Sequence, residues 1–186
     1  MRVLGIDPGS EVTGWGVVEG DANGRSYSLV EFGAVRLKSS ATFSSRLLKI
    51  NLALNEIITR LKPDACAIEE AFLATNPKVT LKLGQVRGIA LLAAETAALE
   101  IGEYSPRSIK QTVAGYGNAE KCQVQEMVRV LLSLSSVPEP HDAADALAVA
   151  ICHFHHAGIN RRLMSAKAGG NLNAAVAAMD RRRSLR

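Results

Sequence analysis

The amino-acid sequence predicts an α/β fold, a five-stranded mixed sheet with helices on both faces. Three observations carry this expectation. Three apolar, alternating segments follow one another with short links, which favours antiparallel hairpins. From residue 43 onward, short apolar segments alternate with helix-length stripes, which favours strands joined by crossover helices. The chain has 186 residues, of which 47% are hydrophobic, and shows no second core or internal repeat, so these elements belong to one domain.

Residues 2–7 form the first strand. Segments 12–19 and 26–37 form two more, joined by the turn Asp21-Ala22-Asn23-Gly24. A helix over 43–62 has Leu47, Ile50, Leu54, Ile57 and Leu61 on one stripe, and Pro63 ends it. Residues 65–69 (ACAIE) are a buried strand that runs into the pair Glu69-Glu70. A helix over 77–99 follows, then a strand at 101–104. Ser105-Pro106 opens a helix, by the preference of proline for the first turn. Gly115-Tyr116-Gly117 breaks it, and Asn118 is expected to cap the next, which carries Val124, Met127, Val128, Leu131 and Leu132. The last core helix starts near Asp142 and runs to about His156, with Leu147, Ala150, Ile151 and Phe154 facing inward.

The formal net charge is +4, and its distribution matters more than its size. Residues 160–186 carry seven Lys/Arg and one acid, whereas residues 1–159 carry 15 Lys/Arg against 17 Asp/Glu. The positive charge is thus a property of the tail, and nucleic-acid binding by the body requires a local patch. The division expected is a domain at 1–157 and a basic, flexible tail at 158–186. The three cysteines, Cys66, Cys122 and Cys152, are far apart and lack zinc-site spacing, which fits a reduced, cytoplasmic setting. No apolar run approaches the roughly 18 residues a membrane helix needs.

Carboxylates mark the functional end. Asp7 closes the first strand just before Pro8-Gly9-Ser10, and Glu69 closes the fourth. Asp7 alone is equally a turn residue, a metal ligand or a neighbour of bound phosphate. If the two strands are parallel neighbours, both side chains meet at the carboxyl edge, where ligands of open sheets gather. Asp142 and Asp145, three apart at the start of a core helix, share one face. Like charges near 4 Å repel by on the order of 4 kcal/mol at an effective dielectric of 20. A divalent cation offsets this, and an all-oxygen donor set suits Mg²⁺ or Mn²⁺. Two such ions activate a water and stabilise the leaving oxygen of a phosphodiester.

Five blocks, LGIDPGSxxTGWG, AIEExF, KLGQxRG, YSPRSIKQTVAGYGNAEKxQV and HDAADALAVA, occur in this order. Over about residues 1–157 they resemble the RuvC family of crossover-junction (Holliday junction) endodeoxyribonucleases. The resemblance implies a ribonuclease-H-like fold and a homodimer that nicks two strands of a four-way DNA junction with Mg²⁺. It also implies recombination and repair as the setting, with a branch-migration motor of RuvA–RuvB type as a partner. Its catalytic and metal-binding acids fall on Asp7, Glu69, Asp142 and Asp145. The aromatic at Phe72 selects Glu69 over Glu70, and the helical spacing to Asp145 selects Asp142 over His141, which is then a neighbour or a proton carrier.

The resemblance places Lys110 and Lys121 near DNA, where lysines orient a phosphodiester. Phe72 is either a stacking partner for an unpaired base or a core plug. Lys82 and Arg87 are further DNA-binding candidates flanking Gly84 and Gly88, two glycines that allow close helix packing across a dimer axis or within one subunit. Trp15 is expected in the core. His153, His155 and His156 lie near a helix C-terminus, which favours positive charge. The arginine-rich tail is a source of non-specific DNA attraction or a solvated terminus. Competing readings are a related nuclease on another nucleic acid, a junction binder without catalysis, and an actin-like ATPase. The last shares the opening loop but needs a second phosphate loop and an adenosine motif, and the sequence shows neither.

Overall fold

A computed structural model describes residues 1–21, 26–70 and 76–158. Five strands, β1 (Arg2–Asp7), β2 (Val12–Gly20), β3 (Tyr27–Arg36), β4 (Ala65–Glu69) and β5 (Glu100–Tyr104), form one sheet in the order β3-β2-β1-β4-β5. The first three pair antiparallel as hairpins, and β4 and β5 join parallel. Parallel β4 and β5 each require a crossover, supplied by α1 (Phe43–Leu61) and α2 (Pro77–Thr96). Helices α3 (Pro106–Ala114), α4 (Lys121–Leu131) and α5 (residues 141–158) follow. This is the ribonuclease-H-like mixed sheet that the sequence implied. The turn expected at 21–24 and the tail beyond residue 158 fall largely outside the described residues.

Strand alternation sorts the apolar residues into two cores. Leu4, Ile6, Cys66 and Ile68 face α1 and α2, against Ile50, Leu54, Val86 and Ala90. Trp15 joins this core, 8% exposed. Val3, Ala65 and Ala67 face the other way, against Val113, Val124, Val128, Leu147 and Phe154. By the same alternation Asp7 and Glu69 belong to the second face, which α3, α4 and α5 cover.

Glycines bring α5 unusually close to the sheet. A Cβ at Gly5 would stand 2.0 Å from the Ala146 carbonyl oxygen, and one at Gly14 1.9 Å from that of Asp142. At Gly16 it would stand 2.5 Å from Leu147 Cδ2. Only side-chain-free positions on β1 and β2 admit the helix at this depth.

Helix α3 begins as expected: Ser105 Oγ accepts from Ser108 N at 3.2 Å, with Pro106 in the first turn. Gly115, at φ 88°, ends it in a conformation that glycine adopts without penalty. The cap of α4 differs from expectation. Asn118 lies in the preceding turn, and Glu120 is the N-cap of a capping box in which its backbone N–H donates to Gln123 Oε1 at 2.8 Å. The helix therefore starts at Lys121. Gly84 and Gly88 are open on their outer side: an added Cβ meets nothing within 4 Å at either, so none of the described helices packs there.

Candidate active site

The loop after β1 is pinned from beneath. Thr13 is fully buried, and its hydroxyl donates to the Gly9 carbonyl at 2.8 Å. Gly9 folds so tightly that a Cβ would lie 1.9 Å from Val12 O. This turn carries the chain away from Asp7 and leaves its carboxylate at the strand edge. Ile6 pairs with Ile68 across the parallel β1–β4 ladder, so Asp7 and Glu69 stand side by side. Glu70 is exposed, and its N–H continues the ladder to Tyr104 O at 2.9 Å. Alternation thus turns Glu69 inward and Glu70 outward.

A cleft of about 260 Å³ opens here, lined by Asp7, Glu69, Lys110, Lys121 and Asp145 over a floor that includes Ile109, Val124 and Ala148. Asp142 does not line it, but lies close enough for its charge to act on Asp7. Lys121 Nζ sits 2.5 Å from Asp145 Oδ2. Gln125, a buried amide one helical turn further on, donates from Nε2 to Asp145 Oδ1 at 3.3 Å.

The electrostatics match a crowded acidic site. Burial, then the charges of Asp145 and Asp142, push Asp7 up to about 7. Burial, then Asp7 and Asp145, push Glu69 up to about 8. The neighbouring Lys121 charge and the Glu69 side chain offset only part of the rise at Asp7. Burial opposes the Lys121 charge, but Asp145, Asp7 and Asp142 outweigh it and raise its pKa above the ordinary lysine value. An excess of negative charge is thus met here by retained carboxyl protons and one ammonium. The donors are all oxygen, which fits a hard divalent cation in chemistry and charge. With Lys121 drawn onto Asp145, the carboxylates do not close on one point; among the described residues no group of three or more His, Cys, Asp or Glu does.

The other candidates are distributed differently. Lys110 lines the cleft. Phe72 lies outside the described residues. Lys82 and Arg87 are on α2, across the sheet from the carboxylates. Lys82 stands over the Phe43 ring, 5.8 Å from its centroid, and Arg87 forms an ion pair with Glu103 of β5. The structure does not bring these two to the cleft. His141 is exposed at the start of α5. Two of the three late histidines, His153 and His156, depart from the cationic helix end that was expected. His153 is buried, with Nδ1 3.0 Å from the Tyr104 hydroxyl, and burial pushes it and His156 down, towards the neutral form. Gln125 was not a sequence candidate; its only signal is an amide beside Val124 and Val128, one turn after Lys121.

Known proteins are similar to this chain in sequence and fold. The family model for crossover junction endodeoxyribonuclease RuvC matches residues 3–153. The chain is 51% identical over 157 residues to the RuvC of Chloroflexus aggregans, covering 84% of this chain and 94% of that one. It is 50% identical over 168 residues to that of Koribacter versatilis, covering 90% and 100%. Among solved structures, Thermus thermophilus RuvC in complex with a Holliday junction substrate is 34% identical, with a TM-score of 0.80 over 86% of this chain and 96% of that one. The yeast mitochondrial Holliday junction resolvase shares the fold, with a TM-score of 0.65 at 14% identity over 89% and 83%. On these matches, the chain belongs to the RuvC family of crossover junction endodeoxyribonucleases.

Proposed function

We propose that this protein resolves four-way (Holliday) DNA junctions in recombination and repair, by paired symmetric nicks made through divalent-cation-dependent phosphodiester hydrolysis. The observation that carries this is the cleft where Asp7, Glu69 and Asp145 meet Lys110 and Lys121. Further support comes from the 34% identical Thermus protein, whose structure holds a Holliday junction substrate.

In this reading Asp7, Glu69, Asp142 and Asp145 hold Mg²⁺, with Mn²⁺ as a substitute and two ions per site. When bound, the cations supply Lewis-acid stabilisation to the scissile phosphate and make water a stronger nucleophile. The protein's own groups do the rest. With a cation bound, Asp7 and Glu69 would release their protons to solvent, and their carboxylates would face the phosphate. Lys121 exchanges Asp145 for a phosphate oxygen, and Lys110 neutralises a second. The leaving atom is the 3′ oxygen, so the products carry 5′-phosphate and 3′-hydroxyl ends. Phe72 stacks on an unpaired junction base, and Lys82 and Arg87 contact DNA farther from the cut.

Paired nicks require two sites, which a two-fold dimer provides. Support for a dimer is an apolar face on α1 and α2. Leu48 and Leu52 of α1 are 58% and 60% exposed, and Leu81 and Leu92 of α2 are 68% and 58% exposed, at helical spacing from the open Gly84 and Gly88. Exposed apolar surface on this scale marks an interaction site. Among the described residues no helix is long and apolar enough to cross a membrane. The setting proposed is the cytoplasm, with a RuvA–RuvB type motor as partner, a nuclease domain at 1–157 and a basic tail that adds non-specific DNA attraction.

The test is incubation with Mg²⁺ and either a synthetic four-way junction or a linear duplex of the same arms. Symmetric paired nicks in the junction alone are expected. The Asp7→Asn protein is expected to bind the junction without cutting it. Equal cutting of the duplex would transfer the function to a general nuclease, and cutting by Asp7→Asn would overturn the site.

A further inference from the structure

We infer that Gln125 is a positioning residue for the cation site, holding Asp145 in its working orientation while Lys121 comes and goes. The inference rests on the reading of Asp145 as a cation ligand. Lys121 and Gln125 are four apart on α4, so they share a face, and each takes one oxygen of the same carboxylate. Two donors on two oxygens fix both the direction and the plane of Asp145.

The two donors differ in mobility. The Lys121 side chain is 60% exposed on a flexible stem, free to move to a phosphate. Gln125 is 5% exposed and is one of three buried polar side chains among the described residues, with Thr13 and His153. A buried amide keeps its partner because nothing else is available to replace it. It brings no charge, so it does not compete with a cation as an ammonium does. When Lys121 leaves, Oδ2 becomes available, while the amide retains Oδ1 and the carboxylate does not rotate. Outer-shell hydrogen bonds of this type orient metal-binding carboxylates, and removing one weakens metal affinity by about 10- to 100-fold.

The test compares wild type with Gln125→Met, which keeps volume but lacks the donor, and Gln125→Asn, which keeps the amide but is one methylene too short. Mn²⁺ binding to the DNA-free protein is titrated by electron paramagnetic resonance. Nicking is then followed against Mg²⁺ concentration, and junction binding is measured in EDTA. Mn²⁺ affinity in the variants is expected to fall about 10- to 100-fold. The Mg²⁺ requirement is expected to rise in parallel, junction binding in EDTA to stay within twofold, and nicking to recover at high Mg²⁺. A folded variant with wild-type Mn²⁺ affinity and Mg²⁺ dependence overturns the inference. Unfolding of both variants also overturns it, because the amide would then serve the fold. Wild type that neither binds Mn²⁺ nor nicks would instead remove the functional reading beneath it.

Discussion

Replacing Gly14 with alanine tests how the sheet sets the proposed active site. Gly14 is the β2 partner of Asp7, and its missing side chain is the space that the first turn of α5 occupies. An added Cβ would stand 1.9 Å from the Asp142 carbonyl oxygen and 2.4 Å from its carbon. Both are backbone atoms of a helix, so no rotamer change relieves the clash. Moving from 1.9 Å to ordinary contact at 3.4 Å makes that end of α5 retreat by about 1.5 Å. Asp142 and Asp145 travel with it, away from Asp7 and Glu69. A misplacement of about 1 Å at a reacting centre costs on the order of 10²-fold in rate. Overpacking of this kind destabilises by about 1–3 kcal/mol, and at this chain length each kcal/mol lowers Tm by about 2–4 °C. Single-turnover nicking of a four-way junction, with a melting curve on the same sample, reads both. A Gly14→Ala protein with wild-type nicking and wild-type Tm would falsify the claim that glycine contacts set the depth of α5.

Two further outcomes are expected. In EDTA, stability should fall as pH rises from about 4 to about 8. Asp7 and Glu69 keep protons in the folded state up to about 7 and about 8, whereas their unfolded values are 3.8 and 4.5, so the native state binds more protons across that window. Melting temperatures against pH check this, and Mg²⁺ should flatten the slope by replacing the protons; a rising slope in EDTA would contradict the crowded-carboxylate account. Leu81→Glu puts a charge in the middle of the exposed apolar face of α2, and light scattering should show monomers whose nicks are no longer paired; a dimer that survives unchanged means that this face is not the interface.

Much of this protein was legible in its sequence because its elements are locally consistent. Asp7 and Glu69 each follow a run of apolar residues that a buried strand explains; alternation lets only one of Glu69 and Glu70 face the site, and the family's aromatic at Phe72 picks Glu69. The Asp142/Asp145 pair was legible as one helical face. Long-range pairing was harder to read. The link from Gln125 to Asp145 spans 20 residues, and that from Arg87 to Glu103 joins a helix to a strand; neither leaves a periodic signal. The cap of α4 was misread because Asn118 has the stronger intrinsic preference, while Glu120 wins through its reciprocal bond with Gln123. Gly5, Gly14 and Gly16 read as weak strand residues until α5 is seen resting on them.

That glycine-paved contact also has a consequence for the order of synthesis. The ribosome releases β1 and β2 first and α5 more than a hundred residues later. Until then, Gly5, Gly14 and Gly16 line a vacant groove, and Asp7 and Glu69 have no helical carboxylates opposite them. A nascent chain therefore carries half of the acidic cluster and cannot assemble the rest before residue 145 has emerged. Completion of the proposed site is tied to completion of the domain, so an unfinished polypeptide lacks the full acidic cluster.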